Sequence, residues 1–369
     1  MKEDEEQEKW SQLPTLLVWM IKDRLNFADT ARVSFVCKNW KSASLSYPSK
    51  PTQQCIVPWL VNRFQCSTSW EFVNLLTKEK LIIDRPEFHG RNHLLFSRRG
   101  WLLLHEFQIT GQGYPIVLLN IHTNAKIIMS GPGKNIRGSI ASFSSSDDGT
   151  PQHVVFALIS SNSRPCFYIA KLGEENWIKH SYRNGMHMPS PASLLVLGHE
   201  VYCLDMSGGL FIFNMVNLLW REVAGDTGYC TDLYQWRIVE SEEGEILKID
   251  RGTDLKTFSF FKLNDSQSSW VELNHDDVEN RSWFVYYQNN NFTVKETKVS
   301  KKVYDLRQYV DWSDRNVFQR HSVNIHDLMN GTADVISTPH QDGYWVDLGS
   351  MDKVPPSCVH LGPTDQYKF

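Results

Sequence analysis

Apolar residues follow two different rhythms along this chain, and the change of rhythm divides it. The first stretch, Leu13 to Trp40, reads LPTLLVWMIKDRLNFADTARVSFVCKNW. Leu17, Ile21 and Leu25 recur every four residues with Val18 beside them, the spacing of one apolar stripe on a helix. Leu13-Pro14 opens it, and proline in the first helical turn has no N–H to leave unsatisfied. Asn26 to Asp29 interrupts the pattern, and Asp29 is placed to cap a second short helix starting at Thr30. Val33, Val36, Cys37 and Trp40 carry the apolar positions into a third helix. Ser42 to Gln54, with Pro48 and Pro51 among Ser, Thr and Gln, reads as the end of that helix and a linker.

From Cys55 onward the rhythm shortens. Apolar or alternating runs of four to eight residues are bounded by Gly, Pro, Asn, Asp and Ser, as at Trp101 to Phe107, Ile116 to Asn120, Glu200 to Asp205, Leu210 to Asn214 and Ile246 to Asp250. Tight-turn text joins them, such as Ser207-Gly208-Gly209 and Glu242-Glu243-Gly244. Many short strands joined this way predict an all-β sandwich, barrel or propeller. An internal repeat selects the propeller. Trp177, Trp220 and Trp270 each begin a run where a strand would close a unit, at separations of 43 and 50 residues. A unit of that length, with four strands and a fixed aromatic, marks a propeller blade, and the span accommodates about six. Cys55 to Leu60 is the candidate for a closing strand, with Pro58 favouring an edge position. Asp311 to Arg320 and His326 to Gly331 carry a short helical possibility, and Pro355-Pro356 opens a polar tail.

The order Leu-Pro, spaced Leu and Ile, Asp, Arg and Val-Cys-Lys-x-Trp resembles the F-box. With Gly100-Trp101-Leu102, Leu119-Asn120-x-x-Thr123 and Tyr168-x-Ala170-x-Leu172…Trp177 downstream, the chain resembles plant F-box proteins with a C-terminal KIB-type, kelch-related β-propeller. The repeat text departs from that pattern at Ser181 to Pro191 and Lys298 to Thr338. The resemblance implies a mainly β chain with a small all-α N-terminal module, a three-helix F-box followed by a kelch-like propeller. The expected segments are a disordered acidic tail at 1–9, the F-box at 10–47, a linker at 48–54, the propeller at 55–352 and a C-terminal tail at 353–369. It further implies that Leu13, Pro14, Leu17, Ile21, Leu25, Val36, Cys37 and Trp40 form the adaptor-facing or module-core positions. The sequence does not divide them between the two roles. The implied partners are a Skp-type adaptor, through it cullin and RING subunits of a ubiquitin ligase, and an unknown protein substrate.

Composition narrows this further. Thirteen Trp among 369 residues suit sheets and binding faces more than a helical bundle. A net charge of −4 argues against a general nucleic-acid binder or an acidic-membrane binder. Seven scattered cysteines without a C-x-x-C pair point away from a disulfide framework or zinc site and toward a reducing compartment. The start, MKEDEEQEK, is no signal peptide, so nucleus or cytoplasm rather than secretion is expected.

Catalytic and cofactor chemistry finds little text. Ser130 to Gly138 is glycine-rich with one lysine but lacks the ending of a phosphate-binding loop. The close histidine pairs, His89 and His93, His180 and His187, and His321 and His326, lack a zinc hydrolase setting. No metal, cofactor or catalytic residue is expected. Arg98, Arg99 and Trp236 are binding hot-spot types, without assignment as a site. The rival expectation is a propeller with its own glycan-binding or lyase-like pocket behind an F-box-like N-terminus, and it requires paired carboxylates or a His cluster at the central channel.

Overall fold

The computed structural model describes residues 10–22, 24, 33, 36–45, 58–63, 67–75, 78–89, 92–106, 115–121, 125–133, 139–146, 149–159, 165–174, 176–181, 191–224, 236–252, 257–264, 266, 268–286, 291–295, 302–311, 318–328, 333–337, 343–346 and 359–360. Within the N-terminal module, helix α1 spans Thr15–Lys22 and α2 spans Lys38–Leu45. The Pro14 carbonyl accepts from the N–H groups of Leu17 and Val18, so the proline sits just ahead of the helix it opens. Val18, Val33, Trp40 and Ala43 form a small buried core, with Leu13, Ile21 and Cys37 packed against it. Three polar ties hold the segments in place. Trp19 Nε1 donates to the Ala43 carbonyl at 2.8 Å, Asn39 Nδ2 to the Leu13 carbonyl at 2.9 Å, and Trp40 Nε1 to the Trp10 carbonyl at 2.8 Å. The expected second helix at Thr30 and its Asp29 cap lie outside the described residues, as do the expected tail at 1–9 and linker at 48–54.

The rest is β-sheet. Strands β1 (Trp59–Arg63), β2 (Ser69–Val73) and β3 (Lys80–Asp84) are followed by four antiparallel meanders of four strands each. The first meander is β4 (Asn92–Arg98), β5 (Trp101–Glu106), β6 (Ile116–Asn120) and β7 (Lys126–Met129). The second is β8 (Ile140–Ser145), β9 (Pro151–Ile159), β10 (Pro165–Lys171) and β11 (Ile178–Ser181). The third is β12 (Pro191–Leu197), β13 (Glu200–Asp205), β14 (Leu210–Asn214) and β15 (Leu219–Ala224). The fourth is β16 (Trp236–Glu240), β17 (Ile246–Arg251), β18 (Phe258–Asn264) and β19 (Ser269–Glu272). A short helix α3 (His275–Glu279), capped by the Asn274 side chain, leads into an irregular sheet. That sheet holds β20 (Arg281–Tyr286), β21 (Phe292–Lys295), β22 (Lys302–Asp311), β23 (Phe318–Asp327) and β24 (Ala333–Ser337), in the order β21-β20-β22-β23-β24. Finally β25 (Gly343–Val346) pairs with β1, and β26 (Val359–His360) pairs with β3.

The sheets contact one another in a closed cycle. β25 touches β4, β4 touches β8, β8 touches β12, β12 touches β16, β16 touches β21, and β20 returns to β25. This is a β-propeller. Five sheets are each made from one continuous stretch of chain, and the sheet β25-β1-β2-β3-β26 is assembled from both ends. Joining the two ends in one sheet ties the ring shut through main-chain hydrogen bonds and leaves no open seam.

Burial explains the runs seen in the sequence. Strands lying between neighbouring sheets are covered on both faces, so β1, β6 and β20 are buried at every position. Outermost strands are not, and β7 alternates between exposed and half-buried. The three repeat tryptophans start or enter the outermost strands β11, β15 and β19, where the periodicity placed them. Trp177 Nε1 donates to the Ser130 carbonyl, 2.6 Å away in the connection from the preceding sheet. Trp220 packs against Phe167 of the preceding sheet at 4.8 Å. Trp270 helps enclose Lys248, a buried lysine whose ammonium also lies 4.6 Å from the Trp236 and Phe261 rings.

Several expectations need correction. The closing strand begins at Trp59, one residue after Pro58, and lies inside its sheet rather than at an edge; residues 55–57 lie outside the described residues. The described parts of 311–320 and 326–331, expected to carry a short helix, instead extend the ten-residue strands β22 and β23. Their β-branched and aromatic positions pair across a full ten-residue ladder, which overrides local preference. The departure from the repeat at 298–338 falls on the irregular sheet, with its parallel β20–β22 pair. The polar tail contains the short strand β26.

Candidate functional site

The N-terminal module divides its apolar residues between two faces. Leu13, Ile21 and Cys37 are half-buried against the internal core, and Trp40 is buried within it. Cys37 behaves as a packed small hydrophobe, its Sγ accepting from the Trp40 N–H at 3.5 Å. Pro14, Leu17 and Val36 face outward, Leu17 at 42% and Val36 at 56% exposure. Leu25 lies outside the described residues. Three further outward residues escaped the sequence reading: Trp10, Leu16 and Met20. The stripe Leu17-Ile21-Leu25 had absorbed the periodicity, although Val18 and Lys22 mark the buried line of α1 and Leu16, Leu17 and Met20 the opposite one. A helix apolar all round, with a core on one side only, is the signal that could have found them.

Arginines bridge strands of different sheets at both ends of the inner strands. At the mouth where the inner strands end, Arg98 leaves β4 and crosses the ring. Its Nη1 donates to the Val196 carbonyl of β12 at 2.9 Å, and its Nη2 pairs with Glu240 at the end of β16. At the opposite end of the inner strands the buried Arg237 donates through Nε to the Tyr286 carbonyl at 2.9 Å. Its Nη1 lies 2.6 Å from the Trp236 carbonyl and 3.5 Å from that of Ala192. Trp236, one of the hot-spot types, is buried core. Arg99 is exposed at φ +48° in the β4–β5 turn.

One polar pair has nucleophile-and-base chemistry by type. Ser144 Oγ lies 3.1 Å from His153 Nδ1 across the β8–β9 ladder, and His199 packs its ring edge-on at 5.5 Å. Burial, and then the charges of His199 and Lys171, hold His153 below its ordinary pKa, with Glu174 opposing. Ser144 is completely buried, so the pair fixes a strand end and presents no hydroxyl to a substrate. Asp205 plays a comparable part at the β13–β14 turn. Its Oδ1 accepts from the Ser207 N–H, the Ser207 hydroxyl and the Gly209 N–H at 2.7–2.9 Å. Among the described residues, no three His, Cys, Asp or Glu side chains gather as a metal-ligand group.

Comparison with known proteins follows the same division. The F-box domain matches residues 10–52, and the KIB1-4 beta-propeller matches residues 72–314, more than half of the chain. The chain belongs to the KIB1-4 beta-propeller family. Relatives of this KIB1-4 propeller protein include the F-box protein At1g69090 of Arabidopsis thaliana. That protein is 25% identical over 244 residues, covering 61% of this chain and 58% of the relative. The F-box/kelch-repeat protein At3g18720, also from Arabidopsis thaliana, is 23% identical over 282 residues, covering 71% of this chain and 70% of the relative. The chain thus spans less than two thirds of the length of At1g69090. Among solved structures, TolB from Acinetobacter baumannii superposes with a TM-score of 0.43 at 12% identity, over 84% of this chain and 73% of that one; a likeness this distant carries no functional weight. Among the described residues of this KIB1-4 propeller protein, no helix is long and apolar enough to cross a membrane.

Proposed function

We propose that this protein is the substrate-recognition subunit of an SCF-type E3 ubiquitin ligase. Its F-box, at 10–47, docks a Skp-type adaptor and through it the cullin and RING subunits, and its propeller, at 55–352, holds the target protein. The composite sheet counts as the closing blade, which makes a ring of six. The chain itself supplies no catalytic residue. Its contribution is proximity, raising the effective concentration of a substrate lysine near a ubiquitin-loaded enzyme bound elsewhere in the complex. Cytoplasm or nucleus suits such an assembly.

The outward apolar face of the F-box carries this reading. A module with its own core has no internal use for Leu16, Leu17, Met20 and Val36, exposed at 63%, 42%, 47% and 56%. Covering the remaining half of four such side chains is worth about 1 kcal/mol each, and about 4 kcal/mol together, roughly a thousandfold in affinity. Co-purification with the Skp-type adaptor tests it. Leu16→Asp with Leu17→Asp, both on the outward line, should abolish capture with helical content unchanged. Val18→Asp, at a fully buried position, should lose capture together with the module's helical signal. Capture by the outward double variant at wild-type level removes the ligase reading.

A further inference from the structure

A strand from the far end of the chain, β26, is laid along the outer edge of β3 in the closing sheet. Val359 stands opposite Ile83 and His360 opposite Ile82. Among the described residues this pairing covers two positions of a strand that is five residues long. The direction of the main-chain groups follows from one bond, in which the Arg85 N–H donates to the Thr68 carbonyl at 2.8 Å. These groups alternate along an antiparallel strand, so Leu81 and Ile83 also turn theirs toward β2, and Ile82 turns its own outward to β26. Among the described residues β26 pairs with no strand but β3, so its departure leaves the order β25-β1-β2-β3 intact. The side chains on one face of β3 belong to a buried layer. Leu81 lies opposite Phe72 and Ile83 opposite Trp70, and all four are in one apolar cluster. A residue set opposite Ile83 on an added strand shares that face, and so does the residue opposite Leu81. The tail supplies this alternation in its sequence, Val359-His360-Leu361.

We propose that the outer edge of β3 is a strand-binding site, held by β26 in the resting chain and taken over by an extended segment of the target protein with aliphatic residues at alternate positions. In such an addition main-chain hydrogen bonds give affinity and the alternate side chains give specificity. A partner strand running the length of β3 makes more of these bonds than the two-residue tail does, and its aliphatic side chains extend the layer of Trp70 and Phe72. The pairing of β26 favours the covered edge by about fivefold, so a longer strand displaces it without unfolding the sheet. Outer strands such as β7, β11, β15 and β19 carry no added strand among the described residues, whereas β3 is an edge at which the chain itself seats one. The inference rests on the propeller being the target-binding domain, and it defines the target class as one displaying an accessible extended segment.

The test uses the full-length protein and a fluorescein-labelled peptide, Ser-Thr-Val-Thr-Val-Thr-Ser, read by fluorescence anisotropy. Wild type should bind it. His360→Pro removes the N–H that β26 offers to Ile82, and should tighten peptide binding about fivefold by releasing the tail. Removal of 353–369 should tighten it by the same factor. Ile82→Pro removes the outward N–H of β3 and spares the bonds to β2, a position where an edge strand tolerates proline. It should weaken binding at least about tenfold while leaving the circular dichroism spectrum unchanged. The peptide with proline for its central threonine should weaken to a similar degree. Equal affinity of wild type and His360→Pro, or of the two peptides, overturns the proposal, and neither comparison depends on how Ile82→Pro folds. A full-length dimer that His360→Pro converts to monomer gives the edge to a second copy and overturns the assignment to a target. Capture on immobilised Skp-type adaptor is measured on the same preparations. Peptide binding without adaptor capture supports the edge and removes the ligase reading, whereas adaptor capture without peptide binding overturns the edge alone.

Discussion

Arg98 ties one end of β4 to strands that lie far along the chain, at Val196 and Glu240, so it should couple opposite sides of the ring. Its side chain is 11% exposed and that of its partner Glu240 is 26% exposed. The pair therefore lies between the exposed limit of about 0–1 kcal/mol and the fully buried one, where removing a single partner costs about 3–5 kcal/mol. Arg98→Met removes the charge, the bond to Glu240 and the bond to the Val196 carbonyl, and leaves Glu240 half-covered beside an apolar side chain. We expect it to cost about 2–3 kcal/mol. Glu240→Leu leaves the guanidinium with its carbonyl partner and should cost about 1–2 kcal/mol. The double variant should cost less than the sum, because neither residue is then left with an unpaired charge. The expected coupling energy is about 1–2 kcal/mol. Urea unfolding of the full chain, followed by both tryptophan fluorescence and far-ultraviolet dichroism, measures the four corners of the cycle. A coupling energy below about 0.3 kcal/mol, the level of independent sites, would refute the bridge across the axis.

Trp283 is fully buried, stacks on Phe260 at 4.1 Å and donates to the Val278 carbonyl at 3.3 Å; Trp283→Ala should cost about 3–5 kcal/mol in the same unfolding assay. Burial, assisted by the charge of the neighbouring His93, lowers His105 to about 4. The unfolded chain then takes up a proton there below pH 6.5 that the folded chain refuses until about pH 4, so this stability is present above pH 6.5 and lost as pH falls to 4. On the order of 2 kcal/mol is expected after solvent screening, and His105→Leu should flatten a melting-temperature profile across that same window. Two truncations separate the contributions of the C-terminal strands to the composite sheet. Removing β25 with everything after it should abolish cooperative unfolding, because the ring loses the innermost strand of that sheet. Removing only 353–369 gives up the two-residue pairing of β26 and should cost about 1 kcal/mol or less, read in the same urea titration.

The two-part plan of this protein is written in the spacing of its residues. A period of four from Leu17 to Leu25 and short apolar runs bounded by turn residues, such as Glu200 to Asp205, reflect the two ways a backbone satisfies its own hydrogen bonds, and each leaves a local trace. The repeat tryptophans were legible for the same reason, since Trp177, Trp220 and Trp270 recur at equivalent places in successive meanders. The position of a residue between two surfaces is not local. Leu17 and Val18 are neighbours of the same kind, yet one faces outward and the other is completely buried, because only the packing of α1 against Trp40 and Ala43 decides which side is inside. The same holds for the strands β22 and β23, whose local text left room for a helix until a ten-residue ladder formed between them. The pairing of Glu245 with both Lys262 and Arg281 is not local either, because a strand's side chains are aimed by its pleat and by its neighbours in the sheet rather than by proximity in the chain.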